Sequence, residues 1–158
     1  LYIFVLIALT TGGRYSEIRE LQVENIDFKN QRVYYLNTKN NTNRGVPVSK
    51  KLLIKIKTYI KVYHIEHGYL FLNDKKTKLI YMKGAFEQLI KDLQIKDFRF
   101  HDLRHTAASY FLMSGATIIE LMELFGWTSQ SMARRYAHLS KTHTANLVNK
   151  VSDMMLNI

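Results

Sequence analysis

The chain opens on an apolar run, Leu1-Tyr2-Ile3-Phe4-Val5-Leu6-Ile7-Ala8-Leu9, that has no charged residue on any face. Such a segment has to be hidden from water. It is about half the roughly 20 residues that a membrane-spanning helix needs, and it lacks the basic lead-in of a secretory signal. It therefore reads as a buried helix, stopped by Gly12-Gly13. A helix covered on all sides needs other elements packed around it. With 158 residues, 47% of them hydrophobic, the chain can supply one such core, and a second would be crowded. The chain begins inside the run without an initiating Met, so a fragment of a longer protein is expected.

The surrounding elements follow from local signals. Ser16 to Leu21 predicts a short second helix with Ser16 near its cap. Arg32 to Asn37 and Gly45 to Val48 predict two strands around the polar stretch Thr38-Lys39-Asn40-Asn41-Thr42-Asn43, with Lys39 near the tip of the hairpin. Pro47, the single proline, places the second strand at a sheet edge, because proline cannot donate to a ladder. Ser49 caps a helix expected to run to His67 and to end at Gly68, with Leu52, Leu53, Ile56, Tyr59, Ile60 and Tyr63 on its apolar face. A strand-like Tyr69 to Leu72 follows, then a helix over Lys83 to Leu93. The last third predicts helices over His101 to Met113, Ile118 to Phe125, Ser129 to Ala137 and Thr142 to Met155. The fold class is thus mainly α with a small antiparallel β-sheet (α+β).

Twenty-three Lys and Arg against 13 Asp and Glu leave a formal charge of +10, spread along the whole chain. A polyanionic partner fits that balance, although charge alone is compatible with an ordinary basic protein. There is no cysteine, which excludes disulfides, thiolate metal sites and cysteine nucleophiles and is compatible with the reducing cytosol. His101 and His105 stand at a spacing that zinc enzymes use. The residue after His101 is Asp102, however, and no third ligand stands out.

Five local strings occur in order: Thr11-Gly12-Gly13-Arg14-Tyr15-Ser16-Glu17-Ile18; Lys39, eight residues before Pro47; His101-Asp102-Leu103-Arg104-His105-Thr106; Phe125-Gly126-Trp127; and Arg135-Tyr136-Ala137-His138. Together they resemble the successive active-site motifs of the tyrosine recombinase, or phage integrase, family. The resemblance implies that residues 1–158 are a catalytic domain lacking its N-terminal DNA-binding domain. It further implies that Arg14, Lys39, His101, Arg104, Trp127 and Tyr136 are catalytic, with Glu17 as acidic companion of Arg14. Trp127 takes the place where most members carry histidine, and an indole donates one hydrogen bond but cannot titrate. Proton duty then falls elsewhere, and His101 is the expected acceptor for the Tyr136 phenol.

The chemistry implied is site-specific DNA strand cleavage and rejoining through a 3′-phosphotyrosine, needing neither metal nor cofactor, in a bacterial mobile element or chromosome-dimer system. Double-stranded DNA, further copies of the chain in a homo-tetramer on DNA, and accessory DNA-bending proteins are the implied partners, with a cytoplasmic, nucleoid-associated location. Ala145, Val148, Val151, Met155 and Ile158 give residues 140–158 the apolar face of a C-terminal helix, which could pack on its own domain; the resemblance implies that it docks on a neighbouring protomer. Three other readings stay open at this stage: a relative that binds without cutting, a helix-turn-helix regulator using Ile118 to Tyr136, and a type IB topoisomerase.

Overall fold

The computed structural model describes residues 1–156 except 37–42, 74, 76 and 80, and the side chains of 133, 137 and 140–146 are also left undescribed. Helix α1 (Tyr2–Thr11) is the apolar run and packs against α5 (Phe100–Met113) and α3 (Lys50–Val62). The ring of Phe4 is fully buried, with the rings of Phe71, Phe100 and Tyr15 at 4.9, 5.3 and 5.5 Å. Around it a core forms from Ile7, Ile18, Leu52, Ile56, Phe86 and Leu103. Truncating a buried phenylalanine such as Phe4 costs about 3–5 kcal/mol, so this residue anchors the first half of the molecule.

Helix α2 (Tyr15–Arg19) follows α1 after two residues of glycine and one of arginine. Its cap is not Ser16, which is exposed. Arg14 is the capping position, and the carboxylate of Glu17 accepts from the Arg14 backbone N–H at 2.8 Å. An acid at the third helical position can satisfy that donor as well as a serine cap satisfies its own, and it also complements the positive helix start.

Strands β1 (Ile26–Asp27), β2 (Arg32–Tyr35) and β3 (Arg44–Pro47) form an antiparallel sheet in that order. Val33 pairs with Ile26 on one side and Val46 on the other, and Tyr35 pairs with Arg44. Pro47 lies on the edge strand, as its chemistry requires. The two-residue β1 is an addition to the expected hairpin, hidden in the sequence because Asp27 carries a turn signal. Its Oδ1 accepts from the backbone N–H of Lys29 and Asn30, so strand and turn share one residue.

Ser49 caps α3 by accepting from Leu52 N–H at 3.2 Å, but the helix stops at Val62, well before Gly68. His64 adopts the left-handed conformation (φ 50°), and the Ile65 N–H turns back to the Ile60 carbonyl at 3.0 Å. Burial of Ile65 fixes this stop, a hydrophobic seal that often accompanies a left-handed helix end. Tyr69 to Leu72 contributes only isolated bridges, Gln22 to Tyr69 and Leu72 to Lys78. Helix α4 (Lys83–Asp92) then leads to α5.

Helix α6 (Ile118–Phe125) is capped by Thr117, which exchanges hydrogen bonds with Glu120, and ends at Gly126 in the left-handed region. Helix α7 (Gln130–Arg134) is shorter than expected. The chain turns at Arg135 and Tyr136, then makes a 3-10 turn over Ala137–Ser140 before α8 (Lys141–Leu156). That break delivers Tyr136 into a second apolar cluster with Ala107, Ala108, Leu112, Leu121 and Phe125. Of the apolar face expected on α8, Val148, Val151 and Met155 are exposed in this chain, at 58%, 46% and 66%, while the Ala145 side chain and Ile158 lie outside the described residues. No helix among the described residues is long and apolar enough to cross a membrane.

Gly12 sits at φ 62°, and a Cβ there would run into the ring of Phe125; Gly68 sits at φ 77° with open space around it. Gly68→Ala should therefore cost only the left-handed backbone penalty of about 1–2 kcal/mol. Gly12→Ala adds a collision with a buried ring and should cost about 3 kcal/mol or more. Urea denaturation of the two variants checks the ranking, and equal losses would contradict the packing described.

Candidate active site

Three arginines from distant parts of the chain meet around one carboxylate. Arg14 comes from the α1–α2 junction, Arg44 from the start of β3 and Arg104 from the first turns of α5. Glu17 accepts from Arg14 Nη1 at 2.7 Å and from Arg44 Nη2 at 2.8 Å. Burial by itself would raise the Glu17 pKa. The charge of Arg44, the Arg14 backbone N–H and the Arg14 guanidinium outweigh it and hold the carboxyl below its ordinary range.

Arg104 is only 3% exposed and donates to two backbone carbonyls, those of Gly12 and Phe125. Arg44 Nη1 donates to the same Phe125 carbonyl. The Phe125 carbonyl is available because it is among the last of α6, whose helix ends leave such groups without an intrahelical partner. Arg104 also lies over the rings of Phe125 and Trp127, at 4.9 and 5.6 Å. Its burial, followed by the charges of Arg14 and Arg44, pulls its pKa down to about 9, which leaves it charged at neutral pH.

Beside this cationic group lies Tyr136, 7% exposed. Its ring stacks on Trp127 with centroids 5.7 Å apart and planes 10° apart. Its hydroxyl is hydrogen-bonded to Nδ1 of His105. His101, one helical turn earlier, meets His105 edge-on at 4.9 Å. His101, Arg104, His105, Trp127, Arg135 and Tyr136 line one cleft of about 170 Å³. Burial lifts the Tyr136 pKa above its usual value, more than Arg104 and Arg135 lower it. The His101 pKa falls below its usual value through burial, then through His105 and Arg104. A buried phenol of raised pKa is a poor nucleophile until its proton has somewhere to go.

The structure thus brings Arg14, Glu17, His101, Arg104, Trp127 and Tyr136 into one region, while Lys39 lies outside the described residues. Two participants are absent from the set expected from the sequence. Arg44 is one of them: it lies two residues before Val46 on the inward face of β3, so a charge on an inward strand position is the signal that could have found it. His105 is the other. It stands in the string His101-Asp102-Leu103-Arg104-His105-Thr106 but outside the expected catalytic set, yet the ring that meets the Tyr136 hydroxyl is His105, not His101. Among the described residues no three His, Asp or Glu side chains gather as a metal site.

A model described as the phage integrase family matches residues 1–143. The integrase of Salmonella phage P22 is 32% identical over 163 residues, covering 93% of this chain and 41% of that protein. The chain spans about two-fifths of the length of the curated relatives it matches first. Among solved structures, the catalytic domain of bacteriophage HP1 integrase superposes with a TM-score of 0.72 at 31% identity, over 93% of this chain and 79% of that one. The crystal structure of XerA recombinase superposes with a TM-score of 0.74 at 22% identity over 94% of this chain and 57% of that one, a likeness of fold. A mainly helical domain with a three-stranded antiparallel sheet, matched by the family model over residues 1–143 and built like the HP1 catalytic domain, belongs to the phage integrase family.

Proposed function

We propose that the chain is the catalytic unit of a site-specific recombinase that cuts one strand of duplex DNA and holds the 3′ end as a phosphotyrosine on Tyr136. The carrying observation is the imbalance in the site: Arg14 and Arg44 share the one carboxylate of Glu17, and a third guanidinium, Arg104, has only backbone carbonyls as partners, beside a buried tyrosine. A DNA phosphate supplies the missing anion. Arginine suits this work because its planar fork donates paired hydrogen bonds to phosphate oxygens. Arg14 and Arg104 clamp the scissile phosphate, Trp127 adds a neutral donor, and His101 at the cleft edge donates to a non-bridging oxygen. Glu17 holds Arg14 in place. Lys39 is the acid that protonates the departing 5′-oxygen.

The phosphotyrosine keeps the energy of the broken bond. A 5′-hydroxyl can therefore reverse the step without ATP, which makes the outcome integration, excision or resolution according to which strand attacks. The relatives' solved complexes include a Tn1549 transposon integrase with transposon right end DNA, which supports duplex DNA as the partner of this chain. The uncovered apolar face of α8 supports assembly: it docks on a neighbouring protomer and links a homo-tetramer on DNA, with accessory DNA-bending proteins arranging the sites. A domain N-terminal to this one would clasp the opposite face of the duplex. The location that follows is cytoplasmic, on the nucleoid.

Cleavage can be tested without a defined target sequence. A pool of nicked duplexes randomised on both sides of the nick is incubated with the protein, and covalent adducts are isolated after denaturation. Adducts should form in EDTA as well as in its absence and should vanish in Tyr136→Phe. Adducts that persist in the phenylalanine variant, or that require a divalent cation, would contradict the reading.

For α8, Val148→Asp with Val151→Asp should weaken assembly of multi-protomer complexes on a recovered duplex by about 3 kcal/mol or more, the loss of two buried valines. Sedimentation of the complexes measures it. Unchanged assembly would refute docking through this face.

A further inference from the structure

Cleavage by Tyr136 requires an acceptor for its proton, and the structure holds one in contact with it. His105 lies one turn beyond His101 on α5, with Nδ1 against the Tyr136 hydroxyl. The stack on Trp127 fixes the plane of the phenol, and indole cannot take the proton. Arg104 and Arg135, the charges that face the phenol, favour its anion and cannot accept either. We infer that His105 is a catalytic residue, the general base that takes the Tyr136 proton during cleavage and returns it during rejoining.

This inference rests on Tyr136 being the nucleophile. As the phenol oxygen bonds to phosphorus, its proton passes to His105 Nδ1, whose other nitrogen already carries a hydrogen. The bond from phosphorus to the 5′-oxygen breaks, and that oxygen takes a proton from Lys39. On rejoining, the incoming 5′-hydroxyl gives its proton back to Lys39, the phosphotyrosine bond breaks, and His105 reprotonates the phenol. His101, edge-on to His105 and nearer the cleft rim, is left to the phosphate. Arg104 and His105 are consecutive on α5, so one rigid helix carries both the cation for the phosphate and the base for the nucleophile.

Single-turnover cleavage of a nicked duplex recovered from the randomised pool separates base from acid when the 5′-bridging oxygen is replaced by sulfur, a leaving group that needs no proton. His105→Ala and His105→Asn should each slow cleavage by about 10²-fold or more with oxygen and by the same factor with sulfur. Lys39→Ala should be slow with oxygen and restored with sulfur. Asparagine can hydrogen-bond the phenol but cannot take its proton, so a wild-type rate in His105→Asn would overturn the inference, as would restoration of either His105 variant by sulfur. The asparagine variant decides the matter if the alanine variant fails to melt cooperatively. Absence of any adduct with the unaltered protein would instead remove the Tyr136 reading on which the inference stands.

Discussion

The carbonyl of Phe125 is the point on which the site depends. Gly126 ends α6 in the left-handed conformation, which brings the Trp127 N–H back to the Met122 carbonyl and leaves the Phe125 carbonyl for partners from outside the helix. Arg44 and Arg104 both donate to it. Arg104 reaches with its other nitrogen to the Gly12 carbonyl, at the end of α1. Two helix C-termini, each carrying partial negative charge, are thereby tied to one buried guanidinium. Without that cation the Gly12 carbonyl would lose this partner in a dry interior, at about 1–3 kcal/mol, while Arg44 would still donate to the Phe125 carbonyl. The same bonds that hold α1, α5, α6 and β3 together also fix Arg104 in the lining of the cleft.

Such an arrangement works against itself until an anion arrives. Arg14, Arg44 and Arg104 repel one another, and the single charge of Glu17 compensates only one of the three; the depressed pKa of Arg104 expresses its burial and this repulsion. Donors fixed in advance around a site of developing negative charge contribute most of their effect because they need not reorganise during the reaction. The folding free energy of the core covers that cost: Phe4 of α1 packs against Phe71 and Phe100, and Tyr35 is sealed by its hydrogen bond to Thr11 at 2.6 Å, below the Arg44 guanidinium. A bound phosphate would relieve the repulsion, so anion binding and the stability of this region are linked by mass action.

What can be read in the sequence is what neighbouring residues decide among themselves. The apolar run of α1, the Ser49 cap, the edge position of Pro47 and the bounds of α6 all follow from local chemistry. The end of α3 does not, because His64 adopts the left-handed conformation only when Ile65 finds a buried seat. The cap of α2 escapes a local reading for a related reason: Glu17 serves at once as cap, as partner of Arg14 and as partner of Arg44, and the last role requires β3 to be alongside. Arg44 itself lies next to a turn-rich stretch and looks solvated until α6 is present to receive it. Motif order points to the neighbourhood of Tyr136. Which of two histidines one turn apart meets its hydroxyl depends on where α7 breaks, and that is a tertiary outcome.

The break after α7 also separates two kinds of control. The groups that would stabilise phosphate charge sit on α5 and at the junctions of α1 and β3, all tied into the core through buried hydrogen bonds. Tyr136 instead sits in a turn between the five-residue α7 and a 3-10 turn that leads straight into α8. A five-residue helix has too few internal hydrogen bonds to hold its own position. Tyr136 is placed by its contacts with Trp127 and His105 on one side and by the path of the chain into α8 on the other. Since Val148, Val151 and Met155 of α8 are exposed, a partner covering them would pull on the segment that carries the tyrosine. On the proposed reading, the receptor for the phosphate would be built by folding, whereas the position of Tyr136 would stay open to adjustment by assembly.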